Sequence, residues 1–227
     1  MRAFPKLRSF FRLPGARQAG FTLVELMVSI SIFAVMTLVV MLKQSDFSGS
    51  TLLTNAAYEV ALLIRKAQTY GLNVRELQLE GGTKLFNIGY GVHVEQRDGT
   101  PLRTFVLFAD LPPNPSLPIG SGNLPDGRYE PETDIAIEEL TLKKEFSVSQ
   151  YCAHTPSGSD HDCYQAGMEW MDISFVRPNP EAKIKGQWGD EMGYGYARAD
   201  ITLAFNGDAS KSKTIRVEET GQISIDQ

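Results

Sequence analysis

From Phe21 to Leu42 the chain runs 22 residues with a single charge, Glu25, among apolar and small hydroxyl side chains. At 1.5 Å per residue such a helix reaches about 33 Å, enough to cross the hydrocarbon core of a bilayer. Lys43 to Ser50 is polar and contains Gly49, read as a weak point in the helix. The helical period then resumes. Leu53, Ala56, Ala57, Val60, Leu63, Ile64 and Ala67 step by three and four, so they share one face. Asn55, Glu59, Arg65, Lys66 and Gln68 fall mostly off it. Gly71 is the expected terminator. If unbroken, the helix from Phe21 to Tyr70 is about 75 Å long.

Beyond residue 76 the period changes from three-and-four to two. Strands are expected over 76–80, 86–95, 102–110, 135–142, 145–151, 169–176, 198–205, 213–218 and 222–225. In 86–95, Phe86, Ile88, Tyr90, Val92 and Val94 point one way. Asp98-Gly99 marks a hairpin turn, lengthened by Thr100-Pro101. Two segments read as long loops. One is 110–134, with six prolines; the other is 178–197, with Trp188, Tyr194 and Tyr196. Those aromatics either offer a contact surface to a neighbouring subunit or close over the core. One helix followed by many antiparallel strands is an α+β fold, the amphipathic half of the helix packed on sheet.

Charge gives the chain a direction. Residues 1–20 hold five of the 22 Lys and Arg and none of the 27 Asp and Glu. The remaining 207 residues carry 17 basic and 27 acidic side chains, a formal charge of −10. A basic flank ahead of an apolar span keeps that flank cytoplasmic and sends the acidic part across the membrane. An acidic domain also argues against general nucleic-acid binding, which needs a basic surface. The chain divides into a leader (1–20), a membrane span (21–42), an amphipathic continuation (43–71) and an exported β-rich domain (72–227).

The basic leader, the glycine junction and the apolar run stand in an unusual order. An ordinary secretory signal loses its apolar region on cleavage; here the apolar region follows the junction. Gly20-Phe21-Thr22-Leu23-Val24-Glu25-Leu26 opening such a run resembles the class III signal of type IV pilins and type II secretion pseudopilins. The resemblance implies cleavage between Gly20 and Phe21 by a prepilin peptidase and N-methylation of Phe21. It also implies assembly with other pilins or pseudopilins into a fibre at an inner-membrane platform, with lipid around the helix beforehand. Glu25, fifth in the mature chain, would meet the terminal amine of a neighbour. Physically, a carboxylate in an apolar helix costs on the order of 2–3 kcal/mol at the helix centre, so a partner is expected. The stretches Ile64-Arg65-Lys66-Ala67-Gln68, Val106-Leu107-Phe108-Ala109-Asp110 and Lys213 to Ile225 look like H-type minor pseudopilins. A minor type IV pilin acting in pilus assembly or DNA uptake, or an adhesin domain on a pilin anchor, is the alternative.

Three features outside the anchor carry candidate chemistry. Asp110, Asp126, Glu130, Glu132 and Asp134 cluster on the proline-rich loop and would suit Ca²⁺, which takes six to eight oxygens; the loop also reads as a solvated acidic turn without a cofactor. Some pseudopilins bind calcium. Cys152 and Cys163 in an exported domain point to a disulfide, with Cys-x-His…His-x-Cys as a zinc alternative. Lys183, Lys185, Lys211, Lys213 and Arg216 form the most basic stretch, interleaved with acids. No nucleophile elbow, P-loop, dinucleotide fingerprint or HExxH is found, so the chain reads as a non-enzyme.

Overall fold

A computed structural model describes residues 20–73, 75–79, 82, 84–86, 88–96, 101–114, 123–156, 161–163, 167–188, 191–205 and 207–226, without the side chains of 43–48, 161–162, 188, 191–192, 194 and 209. Contacts divide the chain into two units, Met1–Ser45 and Asp46–Gln227. Helix α1 is Leu23–Leu72, 50 residues without interruption. Leader residues 1–19 and the Asp98-Gly99 turn lie outside the described residues.

In the first unit every residue from Phe21 to Leu42 is exposed, and Leu23–Leu42 is apolar and long enough to cross a membrane. Its hydroxyls are satisfied within the helix. Ser29 Oγ donates to the Glu25 carbonyl, Ser31 to Met27 and Thr37 to Phe33, each at 2.8 Å.

In the second unit α1 buries the face read from the sequence. Ala57, Val60, Ile64 and Ala67 have no exposed surface, and Leu53, Ala56 and Leu63 have almost none. They enter one core with the inner faces of two antiparallel sheets. Thirteen strands are described among these residues. β1 (Leu77–Gln78) and β2 (Lys84–Leu85) pair as a small hairpin. The six-stranded sheet runs β10-β9-β8-β3-β4-β5. Its members are β3 (Gly89–Glu95), β4 (Thr104–Asp110), β5 (Ile135–Thr141), β8 (Met168–Phe175), β9 (Ala182–Trp188) and β10 (Glu191–Tyr194). The five-stranded sheet runs β13-β12-β11-β6-β7. It contains β6 (Phe146–His154), β7 (His161–Cys163), β11 (Arg198–Phe205), β12 (Asp208–Glu218) and β13 (Ile223–Asp226). The fold is α+β, helix on antiparallel sheet, as in pilin-like domains.

Four local expectations change. Gly49 does not break α1; it is buried, and a Cβ there would come 3.3 Å from the Phe205 ring. Gly71 does not end the helix by a left-handed turn. It is buried inside α1, where a Cβ would fall 2.3 Å from the Phe175 carbonyl oxygen. Segment 178–197 is not one loop, because β9 and β10 form a hairpin at the sheet edge. Ala182, Ile184 and Gly186 turn inward there, and two of the three are too small to give a strong apolar signal. Tyr196 closes over the core at 5% exposure; the Trp188 and Tyr194 side chains are outside the described set. The 86–95 strand begins only at Gly89, leaving Phe86 44% exposed.

Candidate functional site

The junction read as a cleavage site lies just ahead of the first helical turn. Gly20, Phe21 and Thr22 are non-helical and exposed, with Phe21 at 79%. Thr22 is the N-cap. Its Oγ1 accepts the Glu25 backbone N–H at 3.2 Å, and its carbonyl accepts Leu26 N–H at 3.1 Å. Thr22-x-x-Glu25 is the capping-box spacing, a signal that the sequence reading passed over. The cap fixes where the helix starts. It leaves the Gly20–Phe21 bond outside the helix and sets Glu25 in the first turn, where the positive end of the helix dipole favours an anion.

The acidic candidates of the proline-rich loop divide by role. Asp110 ends β4 and is 1% exposed; its Oδ2 accepts Gly127 N–H at 2.7 Å. Asp134 accepts Leu111 N–H and Glu130 N–H, each at 2.8 Å. Asp126 accepts Arg128 N–H at 2.8 Å. Glu132 is exposed, and Glu130 meets Arg128 at 3.6 Å. Burial, then the neighbouring Asp134 charge, pushes Asp110 up to about 8. Burial pushes Asp134 up to about 6 against the two N–H bonds that favour its ionised form. Among the described residues no three His, Cys, Asp or Glu side chains are arranged to hold a metal. The oxygens of Asp134 and one each of Asp110 and Asp126 are engaged by backbone N–H groups, a donor set suited to bracing a loop.

Residues 123–134 of that loop cross the outer face of the six-stranded sheet. Beneath them Asp172, with no exposed surface, takes Tyr129 N–H at 2.9 Å on Oδ2 and contacts His93 Nδ1 at 2.6 Å on Oδ1. Tyr129 packs on His93 and Phe108, and Arg128 stacks over Trp170 at 4.9 Å. The described buried polar residues are His93, Asp110, Asn123, Asp172 and Ser174, all in this layer. None but Asp110 was singled out from the sequence. Alternation along β3 assigns His93 to a solvent face and cannot show that a distant loop covers it.

Cys152 and Cys163 are disulfide-bonded and are direct register partners on β6 and β7. Both sulfurs are therefore unavailable for zinc, and His154 instead meets Asp200 at 3.1 Å. The basic candidates are divided between the sheets, Lys183 and Lys185 on β9 and Lys211, Lys213 and Arg216 on β12. Arg216 is paired with Asp200 and Asp226.

Residues 15–41 match the family described as the prokaryotic N-terminal methylation motif. No curated protein and no solved structure matches the chain. The motif implies prepilin-peptidase processing and assembly with other pilins, and the apolar helix that carries it is consistent with membrane anchoring. The capped helix start, the exposed glycine junction and the matched motif together give this chain the class III signal of type IV pilins and pseudopilins.

Proposed function

We propose that this chain is a minor, H-type subunit of a type II secretion-like pseudopilus, a mechanical component and not an enzyme. The prepilin peptidase cuts between Gly20 and Phe21 and the new N-terminus is methylated. The domain lies outside the cytoplasm, and α1 passes from lipid into a bundle of like helices. One observation carries this reading. The helical stretch Leu23–Leu42 is apolar enough on average and long enough to cross a membrane and is exposed along its length, with Glu25 in its first turn. Lipid alone solvates the apolar surface but leaves the carboxylate costly; a neighbouring ammonium in the bundle satisfies both. The choice of H-type rests on the sequence resemblance of 64–68, 106–110 and 213–225.

Mass analysis of protein from cells with active prepilin peptidase should find methylated Phe21 at the N-terminus; an uncut leader would sink the proposal. Glu25→Ala should still insert in the membrane but fail to enter the fibre. Normal incorporation would remove the pairing role. Genes for secretion, pilus or uptake machinery beside this one separate the pseudopilus from its alternatives.

A further inference from the structure

Beside the layer covered by residues 123–134, the outer face of the six-stranded sheet holds a cavity of about 240 Å³. Its floor comes from cross-strand neighbours. His93 on β3 pairs with Val106 on β4, and Val106 pairs with Glu139 on β5. Glu95 and Thr104 lie two residues along the same strands, and side chains two apart share a face. Tyr129 of the crossing segment and Arg103 complete the wall. His93 is 6% exposed. Its Nδ1 is held by Asp172, and its Nε2 lies 3.6 Å from Glu95 Oε2. Arg103 Nε is buried and has no hydrogen-bond partner among the described residues. A guanidinium nitrogen desolvated without an acceptor costs free energy that an acceptor on a ligand would recover.

We propose that this cavity binds a neutral, polyhydroxylated ring the size of one sugar residue. The charges that line it disfavour the other ligand classes. An anion would meet Glu95 and Glu139, and a cation would meet Arg103. An apolar ligand would strip water from all three charges and return nothing. A zwitterion such as an amino acid needs one acidic pole and one basic pole. The strand order β3-β4-β5 instead puts the two carboxylates on opposite sides of Thr104 and Val106. Hydroxyl groups both donate and accept, so a ring that carries several can donate to Glu95 and Glu139 and accept from Arg103 at once. Such charge-assisted bonds are the strong ones, and the flat guanidinium and carboxylate groups suit neighbouring hydroxyl pairs. Val106, Leu102 and the Tyr129 ring offer the C–H face of the ligand an apolar surface. The cavity falls below the roughly 300–1,000 Å³ of sites for drug-sized molecules, which limits the ligand to about one ring. This inference concerns the second unit and does not depend on the fibre reading.

The test is titration of the full chain, in micelles of a detergent without a sugar headgroup, with the methyl pyranosides of glucose, galactose and mannose, read by backbone amide shifts. Saturable shifts are expected at Glu95, Thr104 and Glu139 and not along β11, with a Kd on the order of 1–10 mM for at least one ring. Alanine, acetate and methylammonium, as zwitterion, anion and cation, should not produce them. Arg103→Gln and Glu139→Gln should each weaken binding about tenfold, the second at an exposed position where the fold tolerates the change. A disaccharide ending in the best-binding ring separates two sources of the ligand: retained affinity marks the terminal ring of a glycan, lost affinity a free monosaccharide, and either supports the site. Absence of saturable shifts with all three pyranosides up to about 100 mM would overturn the proposal. So would tighter binding of alanine, or a sugar affinity unchanged in both variants.

Discussion

Gly71→Ala separates two roles for that glycine by the sign of its effect. As a helix terminator, Gly71 would be dispensable inside a helix that extends past it to Leu72. Alanine is favoured over glycine in a helix interior by about 1 kcal/mol, so the variant would then be as stable as the wild type or more so. The structure predicts the reverse. A Cβ at this position would sit 2.3 Å from the Phe175 carbonyl oxygen, 2.9 Å from its carbonyl carbon and 3.0 Å from its Cβ. The first two are backbone atoms at the end of β8, not the end of a flexible side chain, and Phe175 has no exposed surface. Relief requires the helix to move off the sheet by about 1 Å. Overpacking of this kind costs roughly 1–3 kcal/mol, and rigid backbone contact places it near the upper end. Subtracting the propensity gain leaves a loss of about 2 kcal/mol. Urea unfolding of the full chain in micelles, followed by the fluorescence of buried Trp170, measures it as a lower midpoint at unchanged slope. Leu62→Ala, at a site 63% exposed, serves as control and should stay within about 0.5 kcal/mol. A Gly71→Ala protein as stable as the wild type would refute the close-packing argument.

Further outcomes follow from other parts of the molecule. Replacing Cys152 and Cys163 by serine should lower stability by about 3 kcal/mol in the chain-entropy treatment of a loop this short, read from the same urea titration under non-reducing conditions. Global stability should fall as pH rises from about 4 to about 8, because Asp110 and Asp134 have raised folded values. The folded chain therefore holds those protons more tightly than the unfolded one. For Asp110 the slope is on the order of 1 kcal/mol per pH unit, and Asp110→Asn should reduce it. Lys66→Ala, which removes a largely exposed pair with Glu138, should change stability by less than about 1 kcal/mol and less still in high salt.

The residue pattern alone determined the parts of this protein that depend on local chemistry. A basic leader, Gly20, and an apolar run opened by Thr22 and Glu25 carry the class III signal and a helix long and apolar enough to cross a membrane, because length, polarity and capping act along one segment. The step of three and four from Leu53 to Ala67 identified the buried face of α1, since helical period decides which side chains share a face. Two-residue alternation located most strands, and two cysteines in an acidic domain following a membrane-length apolar run indicated the disulfide. Tertiary structure decided what comes over each surface. Gly71 and Gly91 look like ordinary flexible positions in sequence; in the fold they admit the Phe175 backbone and the Phe108 ring, 2.3 and 2.6 Å from where a Cβ would lie. His93, Asp172 and Ser174 are polar strand residues with no sequence signal of burial, yet they are buried beneath residues 123–134. Asp110 and Asp134 read as candidate ligands in a solvated loop, yet they hold backbone N–H groups in a desolvated layer. Period in a sequence reports which residues point the same way, and only the folded chain supplies the surface they meet.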